Sequence, residues 1–199
     1  MRYKEDHKAQ VRQKILESAA VRLRAKGIAA TGVVGLMADV GLTQGGFYAH
    51  FQSKDALVCE SLQAGMQQLL RTVQQRMEAS DGKPLEAFLD GYLSPAHRDA
   101  PGLGCVASAL SGEIAQSPDM VRDMFTAQFL QMTALIAQAL PAAWTSAERQ
   151  ASAEVIYGTL VGTISLARAV NDATLSDRLL KNARAQVLDM VNSKTAGKE

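Results

Sequence analysis

Residues 41–57, GLTQGGFYAHFQSKDAL, concentrate hydrogen-bonding side chains beside glycines and aromatic rings. The amide of Gln44 can read a base edge, adenine best, because it presents a donor and an acceptor side by side. The phenol of Tyr48, the imidazole of His50 and the ammonium of Lys54 can hydrogen-bond phosphate oxygens, which fixes register without reading sequence. The stretch therefore predicts a surface that contacts nucleic acid.

Two short predicted helices would position these side chains. The first covers residues 33–40, with Thr31 as its predicted N-cap, and the second covers residues 43–50, with Thr43 as its N-cap. The tight turn between them contains glycine, which is the sequence form of a helix-turn-helix. In that motif the second helix enters the major groove and its N-terminal residues face the bases.

Gly45 and Gly46 lie inside the second predicted helix, where each glycine costs about 1 kcal/mol relative to alanine. Either this helix must come very close to a partner, or the two short helices pack closely on each other. Taken singly, Tyr48 packing and His50 capping are the simpler interpretations. Taken together at this spacing, the residues favour DNA binding.

Charge is distributed unevenly along the chain. The first 54 residues hold nine Lys or Arg and four Asp or Glu, a net charge of +5, whereas the remainder carries −4. A basic N-terminal quarter on an acidic body indicates an electrostatic footprint for a polyanion. On charge alone, a solvated basic helix is an equally good interpretation.

Helical periodicity continues to the end of the chain, and aromatic residues make up only 5% of it. We predict an all-α fold of nine helices. Residues 1–53 would form a three-helix DNA-binding domain with the helix-turn-helix. Residues 54–193 would form a six-helix ligand-binding and dimerisation domain, with a loop over residues 94–104, and residues 194–199 a disordered tail.

Several classes of protein are disfavoured. The chain has no run of about 18 apolar residues, so no membrane span is predicted. The first residues lack the apolar core of a secretory signal. We therefore expect a cytoplasmic protein. Cys59 and Cys105 lack the spacing of a zinc site, so neither a metal nor a cofactor is expected. Three scattered histidines, with no GxGxxG or GxSxG motif, argue against an enzyme.

The run TGVVGLMADVGLTQGGFYAHFQSKDALVCESL resembles the DNA-binding domain of the tetracycline-repressor (TetR) family of bacterial transcription regulators, over about residues 8–60. The resemblance implies phosphate contacts from Thr31, Thr43, Tyr48, His50 and Lys54. The family pattern often has a single Gly-Thr or Gly-Ser where Gly45-Gly46 stand, so base reading shifts toward Gln44.

The resemblance also implies a homodimer that binds a palindromic double-stranded DNA operator as a repressor and is released by a small-molecule effector. Two last helices from each subunit would form the interface. Gly158, Gly162 and neighbouring small residues on the penultimate helix allow close helix approach, although packing within one chain explains them equally well. There are two alternative functions. The first is a helical adaptor that binds only protein, and the second, less favoured by the residues, is an enzyme.

The middle helices would hold the effector. Most candidates could equally be ordinary core residues. The sequence has no acidic cluster that would suit a cationic ligand, so we expect a neutral or weakly anionic, partly aromatic compound. Cys105 opens a predicted helix, where a thiolate is favoured and could sense oxidants or electrophiles; a small buried cysteine is the simpler interpretation. The candidates are Met66, Leu69, Phe88, Tyr92, Cys105, Leu110, Met124, Phe125, Phe129 and Tyr157.

Overall fold

A computed structural model describes residues 2–197, with side chains described from residue 7 onward. The all-α prediction is confirmed, because these residues form helices and no strand. The α-helices are α1 (Arg2–Lys26), α2 (Val33–Asp39), α3 (Lys54–Glu78), α4 (Pro84–Tyr92), α5 (Pro95–Asp99), α6 (Val106–Ile114), α7 (Asp119–Gln138), α8 (Ser146–Ala169) and α9 (Ala173–Ala196), with 3₁₀ segments at Gln44–Ala49 and Pro101–Leu103.

Two predicted elements were wrong in kind. The second helix of the helix-turn-helix is a 3₁₀ segment, Gln44–Ala49, rather than an α-helix, because two glycines weaken the α-helical alternative. The predicted loop over residues 94–104 contains α5 and a short 3₁₀ turn. Ser94 starts α5 by accepting a hydrogen bond from the His97 N–H at 3.1 Å, and Pro95 follows in the first helical position.

The helix α9 continues through Ala196, so residues 194–196, expected in the disordered tail, are helical. Lys194 explains the extension: its ammonium lies 4.4 Å from the centroid of the Trp144 ring and donates to the Ser152 hydroxyl at 3.1 Å. Trp144 itself is only 2% exposed. Lys198 and Glu199 lie outside the described residues.

The chain divides into two compact units. Unit 1 runs to Gln68 and includes Pro101–Gln128. Its core joins α1, α2 and the Gln44–Ala49 segment with the first half of α3, with α6 and with the start of α7. The residues buried there include Ile15, Leu23, Leu36, Met37, Phe47, Leu57, Leu62, Val106, Leu110, Ile114 and Val121. The units do not part at residue 53, because α6 completes this core; the domain assignment stays a prediction.

Unit 2 consists of Leu69–Ala100 and the chain from Phe129 onward. Its largest packing contact is between α8 and α9. Two arginines fix α5 against these helices: Arg98 binds Asp177 at 2.6 Å, and Arg168 donates to the carbonyls of His97 and Arg98 at 2.8 and 2.9 Å. Buried side chains of unit 2 include Phe88, Leu89, Tyr92, Trp144, Ile156, Tyr157, Leu160, Ile164, Leu180 and Val187.

Candidate nucleic-acid interface and effector core

The segment Gln44–Ala49 is held by short-range bonds and one deep anchor. Gly46 N–H donates to the Thr43 carbonyl at 3.1 Å, and His50 N–H to the Phe47 carbonyl at 2.9 Å. Phe47 is 1% exposed and stacks on Phe51 with ring centroids 5.7 Å apart. The apolar side of the segment is therefore fixed in the core, and its other side is left to solvent.

Four predicted contact residues occupy that solvent side. Thr43, Gln44, Gly45 and Tyr48 are exposed, and Tyr48 has 73% of its surface accessible. Thr43 stands at the N-cap position, but its side chain makes no capping hydrogen bond, so the hydroxyl is available to a partner. These four residues are therefore accessible to a partner.

His50 lies at the edge of this surface and is half-buried. Burial lowers the pKa of its imidazole, and the charges of Lys8 and Arg12 lower it further. The lowered pKa disfavours the protonated ring in the DNA-free protein. Lys8 is an exposed residue of α1.

Two of the expected phosphate contacts are used inside the protein. Thr31 is 0% exposed and its hydroxyl donates to the Gly27 carbonyl at 2.6 Å, while Gly32 is the N-cap of α2. The predicted N-cap was therefore wrong, and Thr31 has no surface for a phosphate in this conformation. Lys54 is half-buried and donates from Nζ to the Ile28 carbonyl at 2.9 Å.

The basic footprint is also smaller than the charge count suggested. Arg12 forms an ion pair with Glu60 of α3 and lies 4.8 Å from the centroid of the Phe51 ring. Arg22 binds Asp39 of α2 at 2.6 Å. Arg12 thus ties α1 to α3, and Arg22 ties α1 to α2, so both cations are engaged within the protein. Sequence spacing gave no signal for either pair, since the partners are distant along the chain.

The glycine pair has a clear structural setting. A Cβ at Gly45 would come no closer than 3.9 Å to the Thr43 hydroxyl, and one at Gly46 would meet Met37 Cε at an ordinary 3.7 Å. Neither residue has a positive φ; the described glycines that do are Gly27, Gly41 and Gly82. Packing within the chain therefore does not require glycine at positions 45 and 46.

The ten effector candidates divide between the two units. In unit 1, Met66, Leu110 and Met124 are buried in the common core, Phe125 packs against it, and Cys105 is fully buried. These five residues have ordinary core surroundings. A ligand that reaches Met66, Cys105, Leu110 or Met124 has to displace packed side chains, whereas Phe125 is half-buried.

In unit 2 the aromatic candidates form one chain of ring contacts. Phe88 lies 5.6 Å from Tyr92, Tyr92 lies 6.3 Å from Tyr157, and Tyr157 lies 5.5 Å from Phe129, measured between ring centroids. Leu69, the remaining candidate, is half-buried at the start of this unit. The arrangement suits contact with a flat apolar ligand, and equally suits a packed aromatic core.

Cys105 is 0% exposed and is the N-cap residue of α6, although its side chain makes no capping hydrogen bond. The structure agrees with the simpler interpretation, a small buried cysteine. Arg24 lies close enough for an electrostatic interaction. Arg24 is 9% exposed, and its guanidinium donates from Nε to the Gly102 carbonyl at 2.8 Å. Arg98, which precedes Cys105 along the chain, binds Asp177.

One face of α8 is apolar and open. Val155 and Leu166 are each 59% exposed, and Gly158 and Gly162 between them are exposed as well. A Cβ added at either glycine would meet nothing within 4 Å. Packing inside this chain therefore does not account for the small residues.

In the part of the chain that the structure describes, no helix is long and apolar enough to cross a membrane. Within the same residues, no three His, Cys, Asp or Glu side chains are grouped so that they could hold a metal ion.

Solved structures share this fold. One is E. coli NemR in its reduced form, with a TM-score of 0.76 and 22% identity over 89% of this chain and 95% of that one. Another is a TetR-family regulator from Cytophaga hutchinsonii, with a TM-score of 0.77 and 18% identity over 92% and 96%. A regulator of the same family from Agrobacterium tumefaciens has a TM-score of 0.74 and 21% identity over 90% and 98%.

Sequence comparisons agree with the fold. The HTH-type transcriptional repressor DhaR of Mycobacterium sp. (strain GP1) is 29% identical over 112 residues, and the match spans 56% of each chain. This chain thus covers little more than half the length of that relative. Residues 15–60 match the family of bacterial regulatory proteins, tetR family, and residues 82–183 match the tetracyclin repressor-like C-terminal domain. The protein belongs to the TetR family of regulators.

Proposed function

We propose that this protein is a DNA-binding transcriptional repressor whose reading surface is the exposed side of the segment Gln44–Ala49. The observation that carries the proposal is this segment itself. Phe47 is buried while Thr43, Gln44 and Tyr48 are exposed around it. Gln44 would read a base edge, and Thr43 and Tyr48 would hold the phosphates beside it. His50 would join them as a hydrogen-bond donor.

Repression as the direction of control is supported by DhaR, which is described as an HTH-type transcriptional repressor. Binding to a palindromic operator would require two copies of the segment Gln44–Ala49, here called the reading segment. The two copies would be spaced by one helical turn of DNA or by a whole number of turns. We therefore include a homodimer in the proposal. It is supported by the open face of α8, where Val155, Gly158, Gly162 and Leu166 would meet a second copy. Together with α9 this face would build a four-helix interface.

Release by an effector is the remaining part of the proposal. The aromatic chain of Phe88, Tyr92, Tyr157 and Phe129 supports an apolar or aromatic compound as its ligand. Modification of Cys105 is a second route to release. Burial of the thiol means that a reagent must first open the start of α6, whereas the neighbouring Arg24 would stabilise an anionic product. The E. coli NemR structure was obtained in a form called reduced, which is compatible with this route.

The experiment that tests the proposal is selection of random duplex DNA on the purified protein at near-physiological salt, followed by sequencing. We expect enrichment of a palindrome. Gln44→Ala should relax the preference at one base pair of each half-site, at a cost of about 1–3 kcal/mol in discrimination. An exposed polar residue outside the reading surface, Gln116→Ala, is the control. Weak binding without any enriched sequence would instead support a helical adaptor.

A further inference from the structure

A single peptide group in the turn between α1 and α2 is held from both sides by charged side chains. The carbonyl oxygen of Ile28 accepts a hydrogen bond from Lys54 Nζ at 2.9 Å. The N–H of Ala29, which belongs to the same peptide group, donates to Glu113 Oε2 at 2.7 Å. Both bonds are charge-assisted, and each polarises the peptide so as to strengthen the other.

The turn is shaped to admit this carboxylate. Gly27 has a φ of +90°, a left-handed conformation that favours glycine. A Cβ at Gly27 would lie 2.5 Å from Glu113 Oε1, so a side chain there would collide with the carboxylate. Thr31 closes the turn from the other direction by donating to the Gly27 carbonyl at 2.6 Å. Backbone conformation and side-chain position thus both fit the Glu113 contact.

The two charged residues come from elements with different tasks. Lys54 is the first residue of α3 and follows the reading segment by five residues. Glu113 lies in the last turn of α6, which shares a buried core with Leu36 and Phe47. The 3₁₀ segment Pro101–Leu103, which precedes α6, is also tied to α1, because its Gly102 carbonyl accepts a hydrogen bond from Arg24 Nε. A displacement of α6 therefore acts on the turn through Glu113.

We infer that Lys54 and Glu113 are a pair of positioning residues: together they hold the peptide 28–29 and so fix the reading segment relative to α6. Lys54 then serves as an internal donor and is not a phosphate contact. The expected effect on operator affinity rests on the proposed DNA-binding function. The two hydrogen bonds that hold the peptide 28–29 do not depend on that function.

A double-mutant cycle on operator affinity tests the pair. Lys54→Met and Glu113→Ala should each weaken binding about three- to tenfold, the range for one charge-assisted hydrogen bond that is partly exposed. The double variant should bind no more weakly than the weaker single variant, because breaking either end already releases the peptide. Losses that multiply in the double variant would overturn the inference.

Salt dependence separates positioning from phosphate contact. Loss of one phosphate contact lowers the slope of log affinity against log salt by about 0.9. For Lys54→Met we expect the slope of the wild type together with a lower affinity. A slope reduced by one contact would show that Lys54 faces DNA, and would overturn its assignment.

Amide hydrogen exchange of the DNA-free protein gives a readout that needs no operator. Exchange at Ala29 should accelerate in Glu113→Ala and return partly in Glu113→Gln, whose amide oxygen still accepts a hydrogen bond. Asp123→Asn, an exposed change on α7, is the control for charge and should leave Ala29 unaffected. An unchanged exchange rate at Ala29 in Glu113→Ala would overturn the inference that Glu113 holds the peptide 28–29. Failure of the wild type to select DNA would instead count against the proposed function alone.

Discussion

Replacing Gly45 by alanine should make the protein more stable and a poorer DNA binder. The added Cβ has no neighbour closer than 3.9 Å, and the residue has no positive φ. Alanine therefore fits the native backbone, and it restricts the unfolded chain more than glycine does. The expected gain is about 0.4–1 kcal/mol in the free energy of unfolding. For a chain of this size, that corresponds to a rise in Tm of about 1–4 °C.

The loss on DNA has the opposite sign. Gly45 lies on the exposed side of the reading segment, next to Gln44. In the proposed complex, the new methyl group of alanine would therefore collide with the DNA bases or the sugar-phosphate backbone. Inserting one methyl into a packed contact costs about 1–3 kcal/mol, which is roughly a 5- to 150-fold loss of affinity. Gly46→Ala should behave similarly, because its new methyl group would make an ordinary van der Waals contact with Met37 Cε at 3.7 Å.

Thermal unfolding and operator binding at one fixed salt concentration measure both effects. Gly41→Ala is the matched control: it adds the same methyl to open space, but φ at this residue is +73°. It should lower the stability by about 1–2 kcal/mol. A Gly45→Ala protein that unfolds more easily and binds operator as the wild type does would refute the reasoning, and would assign the glycine to internal packing.

Three further changes test other parts of the structure. Gly162→Leu should shift the proposed homodimer toward monomer in sedimentation without lowering the monomer's stability, since a Cβ added there meets nothing within 4 Å in the chain. Arg12→Met should destabilise unit 1 by about 1 kcal/mol in denaturant unfolding, because it removes a partly exposed ion pair and the contact with Phe51. Burial and Arg168 lower the pKa of His97, so its folded value lies below its unfolded value. Because the unfolded state then binds more protons, the free energy of unfolding falls as the pH drops through about 6.5. The variant His97→Gln should therefore show a smaller difference in Tm between about pH 7.5 and 5.5 than the wild type does.

Helices whose signals are local could be predicted from the sequence. Residues 146–169 form α8 through signals that act within a few residues, namely apolar periodicity and a capping box of Thr145 with Glu148. The same holds for Pro84, which starts α4. The reading segment was placed correctly, but its 3₁₀ geometry was not predicted, although the cost of two glycines in an α-helix could be read from the sequence.

The use of charged side chains could not be predicted. A lysine at the start of α3 can face a phosphate or turn inward, and the Ile28 carbonyl that Lys54 binds is 26 residues away. Likewise, Glu113 reaches Ala29 across 84 residues. Thr31 had the right residue type for an N-cap, yet its hydroxyl is taken by Gly27. Such choices depend on tertiary contacts that no local pattern encodes.

The buried indole of Trp144 also has a practical consequence, because it is the only tryptophan in the chain. Its fluorescence reports on unit 2, where it lies 2% exposed beneath the Lys194 ammonium. Far-ultraviolet circular dichroism, in contrast, follows the helices of both units. Melting curves that coincide for the two signals would mean that the chain unfolds in one cooperative step. A shift in emission at constant helical content would reveal release of the last turn of α9 without any added label.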